Sequence, residues 1–174
     1  MKRLLLALAL VALFTAPALA DRSMAGGYCN LIAPTTANPG DLVTFEFFVW
    51  NGSTDTEWTA EVTFTFPACF EVTGGYYDDG GAGWVFNFSG IGTNVGSFLD
   101  GDAGYGEIYG SEGGTFYVEV LLGTDCECGP VTIHWYEGGD IWGSEPHFVE
   151  GDLPFTVCGT PTQDSTWSSV KSLY

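Results

Sequence analysis

Positive charge is what this chain has least of. Four Lys and Arg stand against 22 Asp and Glu in 174 residues, a formal charge of −18. A surface of that sign repels nucleic acid and anionic lipid headgroups, which excludes both as partners. It suits a protein kept in solution by self-repulsion, and it attracts divalent cations. Long apolar runs are also missing. Beyond the first twenty residues no stretch approaches the ~20 residues of a membrane span. Catalytic signatures are absent as well: there is no G-x-S-x-G for a nucleophile elbow, no H-E-x-x-H for a zinc hydrolase and no phosphate-cradling loop. Helical periodicity is scarce until the last ten residues.

The opening residues, MKRLLLALALVALFTAPALA, have the layout of a secretory leader. Lys2 and Arg3 form a basic start, Leu4 to Phe14 an apolar run too short to span a bilayer, and Ala18-Leu19-Ala20 a small-x-small ending. Cleavage is expected between Ala20 and Asp21. The 154 residues that follow suit one domain with a sizeable core. Only Arg22 and Lys171 then oppose all 22 acidic residues, leaving a formal charge of −20. Five cysteines, at positions 29, 69, 126, 128 and 158, sit in a chain bound for an oxidising compartment. Disulfides are expected, with one thiol left over. Cys126-Glu127-Cys128 is tighter than a zinc knuckle and has no second pair or nearby histidine, so its two thiols are expected to take different partners.

The rest alternates. Val43, Phe45, Phe47 and Val49 interleave with Thr44, Glu46, Phe48 and Trp50. Trp58, Ala60, Val62, Phe64 and Phe66 do the same, as do Phe116, Val118, Val120 and Leu122. Trp84, Phe86 and Phe88, then Val131, Ile133 and Trp135, then Leu153, Phe155 and Val157 keep the period of two. Such alternation marks strands with one buried and one wet face, and it predicts an all-β fold of two packed antiparallel sheets. Strands are expected near 28–33, 41–51, 57–67, 69–74, 83–89, 95–99, 114–123, 130–137 and 147–158. Asn38-Pro39-Gly40-Asp41 and Asn51-Gly52-Ser53 read as turns, the second as a tight hairpin.

The run NPGDLVTFEFFVWNGSTDTEWTAEVTFTFP resembles the opening of bacterial immunoglobulin-like cell-surface domains of the CARDB and conserved-repeat type. A P-G-D turn, a V-x-F-x-F-x-V strand, N-G-S and a second alternating strand carry the resemblance. It covers about forty residues well. It implies an immunoglobulin-like sandwich of about 7–9 strands over residues 21–160, acting as an extracellular spacer, adhesion or display module without catalysis. The Gly-rich, aromatic and acidic stretch 74–114 departs from that pattern and reads as an insertion. An immunoglobulin-like strand order would bring Cys69 near Cys126 or Cys128 and give Cys158 the other member, with Cys29 left free. Residues 161–174 read as a linker and short amphipathic tail. Trp167, Val170 and Leu173 or Tyr174 share a face, and the segment resembles the W-x-x-[IV]-K-x-L-[YF] endings of some exported bacterial proteins, a candidate sorting or attachment tag.

Three groups of residues could carry chemistry. The stretch HWYEGGDIWGSEPHF holds both histidines, and a close hairpin would bring His134 and His147 together on its wet face with Glu145 or Asp140 as further metal ligands. Trp142 in the loop is expected to cap the core. Asp78, Asp79, Asp100 and Asp102 lie in glycine-rich turns and offer hard oxygen ligands to calcium, although the EF-hand pattern is incomplete. Tyr76, Tyr77, Tyr105, Tyr109, Asp140 and Trp142 suit a sugar, with rings against its apolar face and an acid on its hydroxyls. A secreted, non-catalytic structural or adhesion module that meets an extracellular protein or glycan is therefore expected. A calcium-assisted carbohydrate-binding module is the alternative, and a small secreted hydrolase trails both.

Overall fold

The computed structural model describes residues 23–54, 57–102 and 104–158. The leader and the tail expected at the two ends lie outside the described residues. The alternating runs become ten strands: β1 (Tyr28–Ala33), β2 (Thr36–Ala37), β3 (Leu42–Trp50), β4 (Thr59–Thr65), β5 (Phe70–Asp78), β6 (Phe86–Ser89), β7 (Val95–Asp100), β8 (Gly113–Leu122), β9 (Gly129–Gly139) and β10 (Phe148–Val157). One sheet runs β1-β3-β8-β5, and the other runs β2-β10-β9-β4-β7-β6. Every pairing is antiparallel except β10 with the two-residue β2, which is parallel and escaped the strand pattern because it is so short.

The inward members of each run meet between the sheets. Phe45, Phe47 and Val49 of β3 and Phe116, Val118 and Val120 of β8 are fully buried against Val62 and Phe64 of β4 and Ile133 of β9. Phe47 and Phe64 stack across the gap with ring centroids 4.0 Å apart, and Phe45 meets Phe155 edge-on at 5.0 Å. Each buried phenylalanine contributes roughly 1.5–3 kcal/mol through area removed from water. The structure is an antiparallel β-sandwich.

The stretch 74–114 supplies strands of the sandwich: β5 extends to Asp78 as one edge of the first sheet, and β6 and β7 finish the second. Two local expectations give way. Trp58 and Ala60 are only half-buried while Thr59 is fully buried, because a register shift between Thr59 and Glu61 flips the start of β4. Asn51-Gly52-Ser53 does not close a hairpin, since β3 and β4 belong to different sheets. It carries the chain across. Asn51 is buried, and its Nδ2 donates to the carbonyls of Glu57 at 2.9 Å and Ile108 at 3.0 Å. Gly52 is required there because a Cβ would fall 2.1 Å from the Gly27 nitrogen. At the first turn, Gly40 takes φ +88°, and the Asp41 N–H closes back on the Asn38 carbonyl at 3.0 Å.

Candidate functional site

Strand direction sorts the chemistry between two poles. The ends of β4, β8 and β10 and the starts of β5 and β9 meet at one pole, where Cys69 bonds Cys126 and Cys128 bonds Cys158. Their Cα atoms lie 5.5 and 5.1 Å apart. The neighbouring cysteines of the C-x-C thus take different partners. Cys29, on β1, is the free thiol; it is buried, and burial followed by the Glu137 charge pushes its pKa up.

The opposite pole gathers the loops 51–58, 79–85, 101–112 and 140–147, and with them nearly every candidate residue. Loop 101–112 hangs on β4 through an isolated bridge: the Thr59 N–H donates to the Ile108 carbonyl at 2.9 Å, and the Glu107 N–H donates to the Thr59 carbonyl at 2.8 Å. That anchoring turns Glu107 inward until it is only 8% exposed. Its Oε2 accepts the Val85 N–H at 2.8 Å, while its Oε1 is buried without a hydrogen-bond partner. Carboxylate oxygens of Asp100, Asp102 and Glu107 all lie within 4.8 Å of one another. Burial, opposed by the Val85 N–H and reinforced by the charges of Asp102 and Asp100, raises the pKa of Glu107.

Asp78 and Asp79 are not part of this cluster. The Asp79 carboxylate accepts the N–H groups of Gly81, Gly83 and Trp84 at 2.8, 2.6 and 2.9 Å, which hold its pKa below the usual range. Asp78 accepts the Gly80 N–H at 3.0 Å. Both are committed to shaping their own turn.

The aromatic candidates separate in the same way. Tyr109 meets Trp58 edge-on at 5.0 Å, and together with Ala82, Trp84, Glu107 and Glu112 they line an open groove of about 490 Å³. Tyr105 and Trp142 form a second exposed pair, with centroids 6.0 Å apart and exposures of 64% and 66%. Trp142 therefore does not cap the core. Tyr76 stacks on Tyr117 at 4.6 Å, exposed on β5. Tyr77 is a structural pin: its hydroxyl donates to the Trp84 carbonyl at 2.7 Å and accepts the Phe86 N–H at 3.2 Å. Asp140 turns its carboxylate to the Trp142 N–H at 3.0 Å and keeps its other oxygen buried.

The histidines do not share a metal. Across the β9–β10 pair His134 stands opposite Asp152, whereas the His147 carbonyl accepts the Gly139 N–H, five residues further along β9. At ~3.3 Å per residue that is about 16 Å. His134 Nδ1 lies 3.0 Å from Asp152, and His147 Nδ1 lies 2.7 Å from the fully buried Glu57. Burial drives the Glu57 pKa up and the bond to His147 offsets part of that rise, while the same bond raises the pKa of His147. Glu137 is also fully buried, with only the Thr59 hydroxyl donating to it at 2.6 Å. Glu107, Glu112, Trp58, Trp84, Glu57 and Glu137 were not among the residues expected here. A five-residue step from Asp102 to Glu107 was the available signal for the first; the fold alone assembles the others.

No family model and no curated protein matches the chain. Solved structures do. The major pilin subunit BcpA of Bacillus cereus superposes with a TM-score of 0.54 at 11% identity, covering 75% of this chain and 40% of the pilin. A protein described as membrane-anchored from Corynebacterium diphtheriae gives 0.52 at 11% identity, over 77% of this chain and 35% of that one. An uncharacterised Nocardia farcinica protein reported to have an immunoglobulin-like fold gives 0.48 at 13%, over 75% and 98%. The shared feature is the antiparallel β-sandwich. At such identities the likeness extends to the architecture and no further, and this chain spans well under half of the first two proteins. Among the described residues no helix is long and apolar enough to cross a membrane.

Proposed function

We propose that this chain is an exported, non-catalytic immunoglobulin-like module of the bacterial cell surface or extracellular matrix, built to display the loops of one pole to a protein or glycan. The observation that carries this reading is the doubly disulfide-bonded pole. Two bonds of that kind persist outside the reducing cytosol. The leader-like start and the acid-rich composition support it. Loops held at the end of a rigid sandwich are a common place for recognition, and here those loops carry the exposed Tyr105, Tyr109, Ile141 and Trp142.

The groove favours a second reading, a calcium-assisted carbohydrate-binding module. Trp58 and Tyr109 supply ring faces, and Glu107 and Glu112 supply acceptors for sugar hydroxyls. Two measurements weigh the readings. Protease treatment of intact cells should remove the protein if it is displayed; a fully protected chain would contradict surface exposure. On a glycan array, saturable binding that disappears in Trp58→Ala would establish the second reading. A blank array leaves the display module with a protein partner.

A further inference from the structure

We propose that Asp100, Asp102 and Glu107 form a calcium site that ties loop 101–112 to the end of β7. Two oxygens bound to one calcium ion at ~2.4 Å can stand no more than about 4.8 Å apart, and the three carboxylates meet that limit pairwise. Acidic clusters on wet surfaces are common, and proximity alone would say little. Glu107 is what distinguishes this one. It is more than nine-tenths buried, one oxygen is committed to the Val85 N–H, and the other is buried with no donor in reach. A buried carboxylate oxygen without a partner is costly unless a cation or a proton meets it.

The described residues offer no permanent cation. No Lys or Arg occurs between Arg22 and Lys171, so none lies within the described sandwich. Both histidines are engaged elsewhere, with Asp152 and Glu57. An ion from solvent would supply the neutralising charge. A donor set of oxygens alone selects a hard ion, and two loop carboxylates with one exposed side suit calcium, which accepts water and irregular geometry more readily than magnesium. The backbone is already shaped for the set. The Gly101 N–H donates to the Val85 carbonyl at 2.7 Å, and the Asp102 N–H donates to Asp100 Oδ1 at 3.0 Å. Gly106, at φ +107°, lets the chain pass where a Cβ would fall 2.7 Å from the Thr59 carbonyl. Because Glu107 also lines the groove with Trp58, Trp84 and Tyr109, an ion here fixes one wall of it. The site stands whether or not the groove takes a sugar.

The test is calorimetric titration of the full chain, stripped with chelator, using calcium chloride alone at 0.15 M salt. One saturable site is expected, with Kd in the range of extracellular modules, roughly 10⁻⁴ to 10⁻³ M. Glu107→Gln and Asp102→Asn should abolish the saturable heat, while Asp125→Asn at the opposite pole should preserve it. Asp102 is exposed, so its variant keeps the test alive if Glu107→Gln fails to fold. At calcium a hundredfold above Kd the melting temperature of the wild type should rise by roughly 5–10 °C, and that of Asp102→Asn should not. A diffuse, non-saturating heat would overturn the proposal, as would a saturable site that survives in both variants; either would leave the cluster holding a proton. No sugar enters the experiment, so its failure is separate from failure of the glycan reading.

Discussion

Glu137 sits where alternation puts it and where solvation resists it. It follows Ile133 and Trp135 on the inward face of β9, so its side chain enters the interior at the loop-bearing pole, facing Thr59 of β4 and Cys29 of β1. Burial pushes its pKa from 4.5 to about 8, and the Thr59 hydroxyl offsets only part of that. The folded state therefore holds the proton more tightly than the unfolded chain does. The stability so contributed is whole below about pH 4.5 and is lost as pH rises toward 8, by about 1.4 kcal/mol for each pH unit in that window. Glu137→Gln stays neutral throughout. Urea unfolding at pH 5 and pH 9 should show the wild type losing a few kcal/mol more than the variant; equal losses would mean that Glu137 is solvated. Alternation made the inward direction legible. It could not show that Thr59 of β4 and Cys29 of β1 would meet it there, because that depends on which strands become neighbours.

At the scale of elements, strand positions were readable to within a few residues because aromatic and β-branched side chains at period two leave little choice of face. What misled was local chemistry with two meanings. Asn-Gly favours a tight turn, yet Asn51 spends its amide on the carbonyls of Glu57 and Ile108 and leads the chain into the opposite sheet. The bulge at the start of β4 is equally silent in sequence, and it exchanges Trp58, turned out to the groove, for Thr59, turned in to Glu137. The disulfides belong to this scale too. Cys69–Cys126 and Cys128–Cys158 close separations of 57 and 30 residues, and each restricts the unfolded chain. Replacing Cys128 and Cys158 together with serine should lower unfolding free energy by about 3–4 kcal/mol. A change below about 1 kcal/mol in denaturant unfolding would mean that the bond does not restrain the pole.

The described residues form one sandwich with a covalently locked end and an acidic, aromatic end. Its class was legible because the core is built mainly from Phe, Val and Ile at alternate positions, and Phe45, Phe64 and Val118 are all fully buried. Its recognition surface was only partly so. Six candidate ligand residues separated into an exposed pair, a groove wall, a carboxylate bound to the Trp142 N–H, a sheet-face stack and an internal pin, since residues close in sequence on a strand alternate between faces. On the proposed reading the poles divide the work: the disulfide-bonded end suits oxidising surroundings, and the loop-bearing end meets a partner. Non-reducing peptide mass spectrometry of the protein recovered from the surface and medium of the cells that make it tests this account most directly. The account predicts a chain beginning at Asp21, with Cys69 linked to Cys126, Cys128 linked to Cys158, and Cys29 as a free thiol. A chain found in the cytosol with Met1 in place and all five thiols reduced would contradict it.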